Sequence, residues 1–271
     1  MSNLIPSITA IALYVISGLF VAARLFATSS ATSIRKPMII ITGVTAFMVH
    51  SHLLYQTTFS AQGLNLGVIN AFSVLSWLII LMMILTAVKK PIENLGIVLF
   101  PLAALAVFLE FKWPSQHITS AGPWELQAHI MFSFLAYSLF TMAMVQAIIL
   151  YIQDKHLRNH QPGGFIRSLP PLQSMEYLLF QIIMVGYLLL TISLLTGFVF
   201  LEDIFAQHLA HKTVLSITAW VIFTVLLWGR FRHGWRGRKA IRWTVGGFIT
   251  LILAYFGSKL VLELLLAPTV S

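Results

Sequence analysis

Apolar residues in this chain neither alternate nor keep to a single helical stripe; they run in long blocks cut by short polar or basic interruptions. Blocks of about 20 apolar residues are what a hydrocarbon core of roughly 30 Å demands of a helix rising about 1.5 Å per residue. Setting the blocks against their breakers predicts helices near residues 5–24, 37–58, 67–88, 94–110, 125–153, 174–200, 212–229 and 242–265. The connections are short. The longest charge-free polar stretch, Gln56 to Asn65, separates the second span from the third, the Pro/Gly-rich stretch Pro162 to Pro171 separates the fifth from the sixth, and neither is long enough to divide domains. The expected fold is therefore all-α: a polytopic transmembrane helical bundle of about eight spans, forming one membrane domain over residues 1–271.

Composition agrees, with 58% hydrophobic and 9% charged residues where a soluble domain carries about 25% charged. The lipid bilayer is the expected surrounding. The net charge of +9 does not point to nucleic acid, because the cations sit between apolar blocks instead of covering a soluble surface. With no cysteine, disulfides, thiolate metal sites and thiol exchange are excluded. The first apolar stretch, Leu4 to about Phe26, lacks the basic leader and small-residue cleavage site of a signal peptide and reads as a retained span.

Charge also orients the chain. One set of alternate loops holds Arg24, Arg35, Lys36, Lys89, Lys90, Lys155, Arg158, Arg167, Arg230, Arg232, Arg236, Arg238, Lys239 and Arg242, and the other holds Lys112 and Lys212, a ratio of 14 to 2. By the positive-inside rule the first set is cytoplasmic, which puts both termini on the outer side. Trp113, Trp124, Trp235 and Trp243 fall near predicted span ends, where interfacial aromatics belong.

Ionisable groups at membrane depth are costly and mark candidate sites. Of nine histidines, His156, His160 and His233 lie in basic loops, and His50, His52, His117, His129, His208 and His211 lie on or near the outer side. His129 begins the fifth span and His211 the seventh, just before Lys212. Two neutral imidazoles from different helices can ligate one metal or a haem iron; equally, interfacial histidines can simply reach the headgroups. His208 and His211, three apart, share a helical face and could hold a metal ion with Glu202 or Asp203, although no complete ligand set appears. His50 and His52 are two apart and face different ways, so at most one serves an interior site, as a second ligand layer, a proton step or a packed core histidine. Lys259 and Glu263, four apart in the last span, read as a mutual pair. Gly186, Gly197, Gly246, Gly247 and Gly257 read as close-packing positions between helices. Phosphate loops, nucleophile constellations and hydrolytic carboxylate pairs are lacking, so classical enzyme chemistry is unsupported.

Several segments resemble one family. These are Gln173-Ser174-Met175-Glu176 followed by Gly186-Tyr187-Leu188-Leu189-Leu190-Thr191 and Leu195-Thr196-Gly197; Leu126-Gln127 before His129, with Tyr137 eight residues on; Gly234-Trp235-Arg236-Gly237-Arg238-Lys239-Ala240 followed by Tyr255-Phe256-Gly257; and, more loosely, His52 to Trp77. Together they resemble the cytochrome c assembly, haem-handling membrane proteins, most of all the shorter HemX-like or YpjD-like branch of small bacterial inner-membrane members, with the likeness clearest over residues 45–265. The resemblance implies haem as cofactor, His129 as one outer axial ligand and His211 as its partner, with His208 the alternative. Phe132 and Phe205 would flank the macrocycle, Lys212 would neutralise a propionate, and Glu125 or Glu202 would orient a ligating imidazole. His52 would belong to a further layer, and other membrane assembly proteins would be the partners. One departure stands out. Export members carry a tryptophan-rich outer segment before the seventh span, whereas Leu201 to Thr213 here contains no tryptophan, although Ile217-Thr218-Ala219-Trp220 survives downstream. Haem binding is thus the expectation, and delivery to an apocytochrome is in doubt. A small-solute or ion transporter, supported by His50, His52, Lys259 and Glu263, and a non-catalytic assembly or regulatory subunit are the alternatives.

Overall fold

A computed structural model describes residues 3–26, 35–60, 63–65, 67–114, 118–119, 124–160, 163–200 and 207–257. Among the described residues eight α-helices follow one another: α1 (Leu4–Phe26), α2 (Lys36–Thr58), α3 (Val68–Ala87), α4 (Gly96–Lys112), α5 (Trp124–Arg158), α6 (Leu172–Phe200), α7 (Gln207–His233) and α8 (Gly237–Ile252). Among the described residues seven helices are long and apolar enough to cross a membrane. The expected eighth span is represented by α8, which starts at Gly237, before the predicted 242, and runs on through a π turn at Leu253–Gly257. Its remainder, with Lys259 and Glu263, lies outside the described residues, as do His117, Glu202, Asp203 and Phe205. Helices are the forced solution, since a spanning backbone must satisfy its own N–H and C=O groups where no water reaches. A small antiparallel sheet, β1 (Phe59–Ser60), β2 (Gly63–Asn65) and β3 (Ile118–Thr119), was not expected from the sequence; Phe59 pairs with Leu64, and Leu64 with Thr119.

The chain groups into two compact units, Met1–Ala121 with Ile152–Met175, and Gly122–Tyr151 with Glu176–Ser271. In the first, α1 packs on α4 and α2, and α3 on α4 and α2. Phe100 of α4, fully buried, lies against Gly43 of α2, where a Cβ would fall 2.9 Å from its ring, and Gly96, one turn earlier on α4 itself, leaves room for the same ring, a Cβ there falling 2.7 Å away. Pro101 lies inside α4, and the small surface of Gly18 on α1 receives its ring. At the basic end of this unit Glu93 pairs with Lys36 at 3.1 Å and Arg24 at 4.0 Å, and Lys36 also donates to the Ala87 carbonyl at the end of α3.

At the opposite end lies a polar chain inside the bundle. Tyr14 Oη stands 3.1 Å from His50 Nδ1, and His50 Nε2 3.0 Å from Ser73 Oγ. Ser73 and Thr57 each donate to Glu110, one to each carboxylate oxygen. Tyr14, His50, Ser73 and Glu110 are all buried.

The second unit is centred on Phe140 of α5 and Phe223 of α7, stacked with centroids 4.0 Å apart. Gly186 of α6 lies against Phe140 and Gly247 of α8 against Phe223, so all four helices meet at one aromatic pair. Gly186 and Gly247 thus do the close packing expected of them. Gly246 does not, because a Cβ there would meet nothing within 4 Å; it lies on the exposed face of α8.

The start of α8 explains its early beginning. Arg236 is extended (φ −145°), and the Gly237 N–H donates to the buried carboxylate of Glu176, which thereby sits at the positive end of the helix. The preceding turn needs glycine: Gly234 and Gly237 have φ of +63° and +54°, and the Trp235 ring lies directly over Gly229, where a Cβ would come within 2.3 Å. Lys239 caps the Trp235 ring at 3.6 Å, and Arg230 donates to the Trp235 carbonyl while lying over Phe180. The basic run is therefore built into the fold as well as marking one side of the chain.

Candidate functional site

His129 lies just over one turn into α5, half-buried against α6. Its Nδ1 is 2.8 Å from the Ser193 carbonyl oxygen and 3.4 Å from Thr196 Oγ1. A carbonyl only accepts, so Nδ1 carries the proton and donates, and in the neutral ring Nε2 keeps its lone pair. Ser133, the next residue but three on α5, donates to the His129 carbonyl at 2.8 Å and meets Ser193 Oγ at 2.7 Å. Two polar contacts between the helices therefore fix the height and rotation of the imidazole. This bears on the expected cofactor: a ligating histidine is ordinarily held by a hydrogen bond from its other nitrogen to a carbonyl or carboxylate, and His129 has that arrangement without any metal being supplied. It fits haem ligation through Nε2.

Of the two carboxylates expected to orient a ligating imidazole, Glu202 lies outside the described residues. Glu125 does not reach His129; its Oε2 is buried and has no hydrogen-bond partner among the described residues. The Ser193 carbonyl is available because Thr196 and Ser193 lie on the face of α6 turned toward α5.

Helix directions follow from paired contacts. His129 meets Ser193 and Phe140 meets Gly186, so α5 and α6 are antiparallel. Tyr187 bonds Thr224 at 2.9 Å and Trp220 Nε1 donates to Thr191 at 3.0 Å, so α6 and α7 are antiparallel as well. Hence α5 and α7 run parallel, joined at the Phe140–Phe223 stack. His129 is 11 residues before Phe140 and His211 is 12 before Phe223, which puts the two positions level along their helices to within about 1.5 Å of rise. His208 lies about one turn further toward the start of α7, and Lys212 is the adjoining residue. The side chains of His208 and His211 lie outside the described residues.

Below His129, Tyr137 donates to the Leu251 carbonyl at 2.8 Å, beside the π turn, and Tyr255 within that turn packs on Tyr137 and edge-on to Phe134. Interruptions of this kind free carbonyls for side-chain donors and concentrate at functional positions. Tyr137 and Tyr255, noticed in the sequence as separate similarities, are thus neighbours.

His52 belongs to the first unit. It is exposed on α2, its Nε2 3.0 Å from Gln56 Nε2, whereas His50 is buried with both ring nitrogens engaged. The two histidines do face different ways, and the interior one is held as a core residue, with no ring nitrogen left to ligate. Among the described residues no group of three His, Cys, Asp or Glu side chains is placed to hold a metal ion. The sequence does not announce the buried Glu110 chain, because Glu110 closes an apolar block next to Lys112 and passes for a span-end charge.

Comparison with known proteins adds the family. The chain is 35% identical to the inner membrane protein YpjD of Escherichia coli K12, over 85% of this chain and 88% of that one. It is 24% identical to the protein HemX of Brevibacillus brevis, over 60% of each chain. It is 26% identical to the cytochrome c biogenesis protein CcsA of Prochlorococcus marinus NATL1A, over 42% of this chain and 36% of that one. No solved structure matches it. Residues 38–266 match the family described as Cytochrome C assembly protein, and with its apolar spanning helices the chain belongs to that family of membrane proteins.

Proposed function

We propose that this chain is a haem-handling protein of the bacterial inner membrane, related in role to cytochrome c biogenesis, which binds one haem at the outer face between His129 and His211. The observation that carries this reading is the His129–Ser193 hydrogen bond, which engages Nδ1 and leaves the Nε2 lone pair available for a ligand role. The equal level of positions 129 and 211 on parallel helices supports it, as does similarity to the cytochrome c biogenesis protein CcsA. The inner-membrane location follows the similarity to YpjD, and the orientation, with both termini outside, follows the 14-to-2 division of cations.

When bound, haem would supply a redox-active iron, with His129 and His211 as the residues that would hold it. The chain's own contribution is geometric and electrostatic. Ser193 fixes the tautomer of His129; Lys212 supplies positive charge for a propionate; His208 is the alternative second ligand. The absence of tryptophan from Leu201 to Thr213 favours holding haem, or serving a larger membrane complex, over handing haem to an apocytochrome.

The test is spectroscopic. Protein purified with haem available should show a Soret band that the double variant His129→Ala, His211→Ala loses while keeping its helical circular dichroism. Absence of the band, or a band unchanged in the double variant, would refute the site.

A further inference from the structure

We propose that the first unit contains a second binding site, separate from the histidines above: a cavity at the Glu110 end of α1, α2 and α4 that takes a primary ammonium carried on an apolar body. The cavity has a volume of about 390 Å³, within the roughly 300–1,000 Å³ range of small-molecule sites. Glu110, Thr57, Ser7 and Asn3 give it polar atoms, and Leu4, Leu53, Val107, Phe111 and Pro114 give it apolar walls.

The charge argument begins at Glu110, which is 7% exposed. A carboxylate only accepts, so Ser73 donates to it. Ser73 Oγ then accepts from His50 Nε2–H, and His50 Nδ1 accepts from Tyr14 O–H. Every proton in the chain is directed toward Glu110, and Thr57 adds another donor from the other side. Such bonds hold a carboxylate in place without neutralising it, and an uncompensated charge at this depth is costly. Among the described residues no Lys, Arg or His lies within ion-pair distance of Glu110. A counter-charge is what a ligand would bring.

The walls decide its kind. A small inorganic cation would satisfy the oxygens and leave five apolar side chains lining an otherwise wet space, whereas an ammonium on an aryl or alkyl body covers both parts. A soluble amine and the ethanolamine headgroup of a phospholipid share this chemistry.

The test titrates the full-length protein in phosphatidylcholine nanodiscs with 2-phenylethylamine and, as the uncharged control, 2-phenylethanol, read by calorimetry. The amine should bind saturably and at least about ten-fold more tightly than the alcohol. Glu110→Gln should erase that preference, and Leu53→Trp, which fills the cavity, should abolish amine binding. No amine binding, equal affinity for the two compounds, or a preference that survives Glu110→Gln would overturn the proposal. The amine–alcohol comparison on the unaltered protein stands whether or not either variant folds. Where the preference is found, weakening of amine binding in phosphatidylethanolamine nanodiscs assigns the site to the headgroup, and undiminished binding assigns it to a soluble amine.

Discussion

Gly246 and Gly247 are adjacent in α8, and substituting each with alanine should move stability in opposite directions. At Gly247 an added Cβ would lie 2.8 Å from Phe223 Cζ and 2.9 Å from Cε2. The ring cannot swing away, because Phe223 is fully buried and stacked 4.0 Å from Phe140. Overpacking of this kind costs about 1–3 kcal/mol. At Gly246 the same methyl meets nothing within 4 Å, so only the gain in helix propensity remains, roughly 0.5–1 kcal/mol. The two variants should therefore differ by roughly 1.5–4 kcal/mol. Reversible unfolding in mixed micelles by a denaturing detergent, followed by tryptophan fluorescence, measures the difference. Gly247→Ala being neutral, or both variants shifting the same way by the same amount, would show that α8 does not dock on the Phe140–Phe223 pair. The level argument for His129 and His211 rests on that stack, so the experiment also bears on function.

Three further predictions follow from buried polar and close-packed positions. Ser73→Ala removes the hydroxyl between His50 and Glu110; with two buried groups each losing a partner at about 1–3 kcal/mol, thermal unfolding in micelles should show a loss of at least about 2 kcal/mol, exceeding that of the exposed Thr9→Ala. Gly229→Ala drives a Cβ into the Trp235 ring and should disturb the Trp235–Lys239 contact, visible as a shift in tryptophan emission together with lowered stability. Glu176→Gln keeps an acceptor for the Gly237 N–H but removes the charge at the helix start, so it should cost no more than about 1 kcal/mol, with Glu176→Ala costing more in the same unfolding assay.

Span positions were legible because hydropathy reports the depth at which a residue is stable, and blocks of apolar residues leave little freedom. Helix ends were less so. The α8 start at Gly237 depends on Glu176, distant in sequence, and on Arg238 and Lys239 lying within the helix although they are too polar for a hydropathy reading to include them. The π turn with Tyr137 bound to Leu251, and the small sheet after α2, are likewise tertiary events. At the candidate site, the place of His129 near the start of α5 was legible, but its hydrogen-bond partner was not: Glu125 is the nearby carboxylate, while the partner is a backbone carbonyl on another helix, which no side-chain pattern announces. Gly246 and Gly247 look alike in sequence and differ because only one faces Phe223.

The most direct test of the haem site is electron paramagnetic resonance of the oxidised, haem-loaded protein. Two axial imidazoles give a low-spin ferric signal; the account predicts that signal in the unaltered protein and its conversion to high spin in His129→Ala and in His211→Ala taken singly. A low-spin signal untouched by either substitution, or haem that does not associate with the protein, would contradict it.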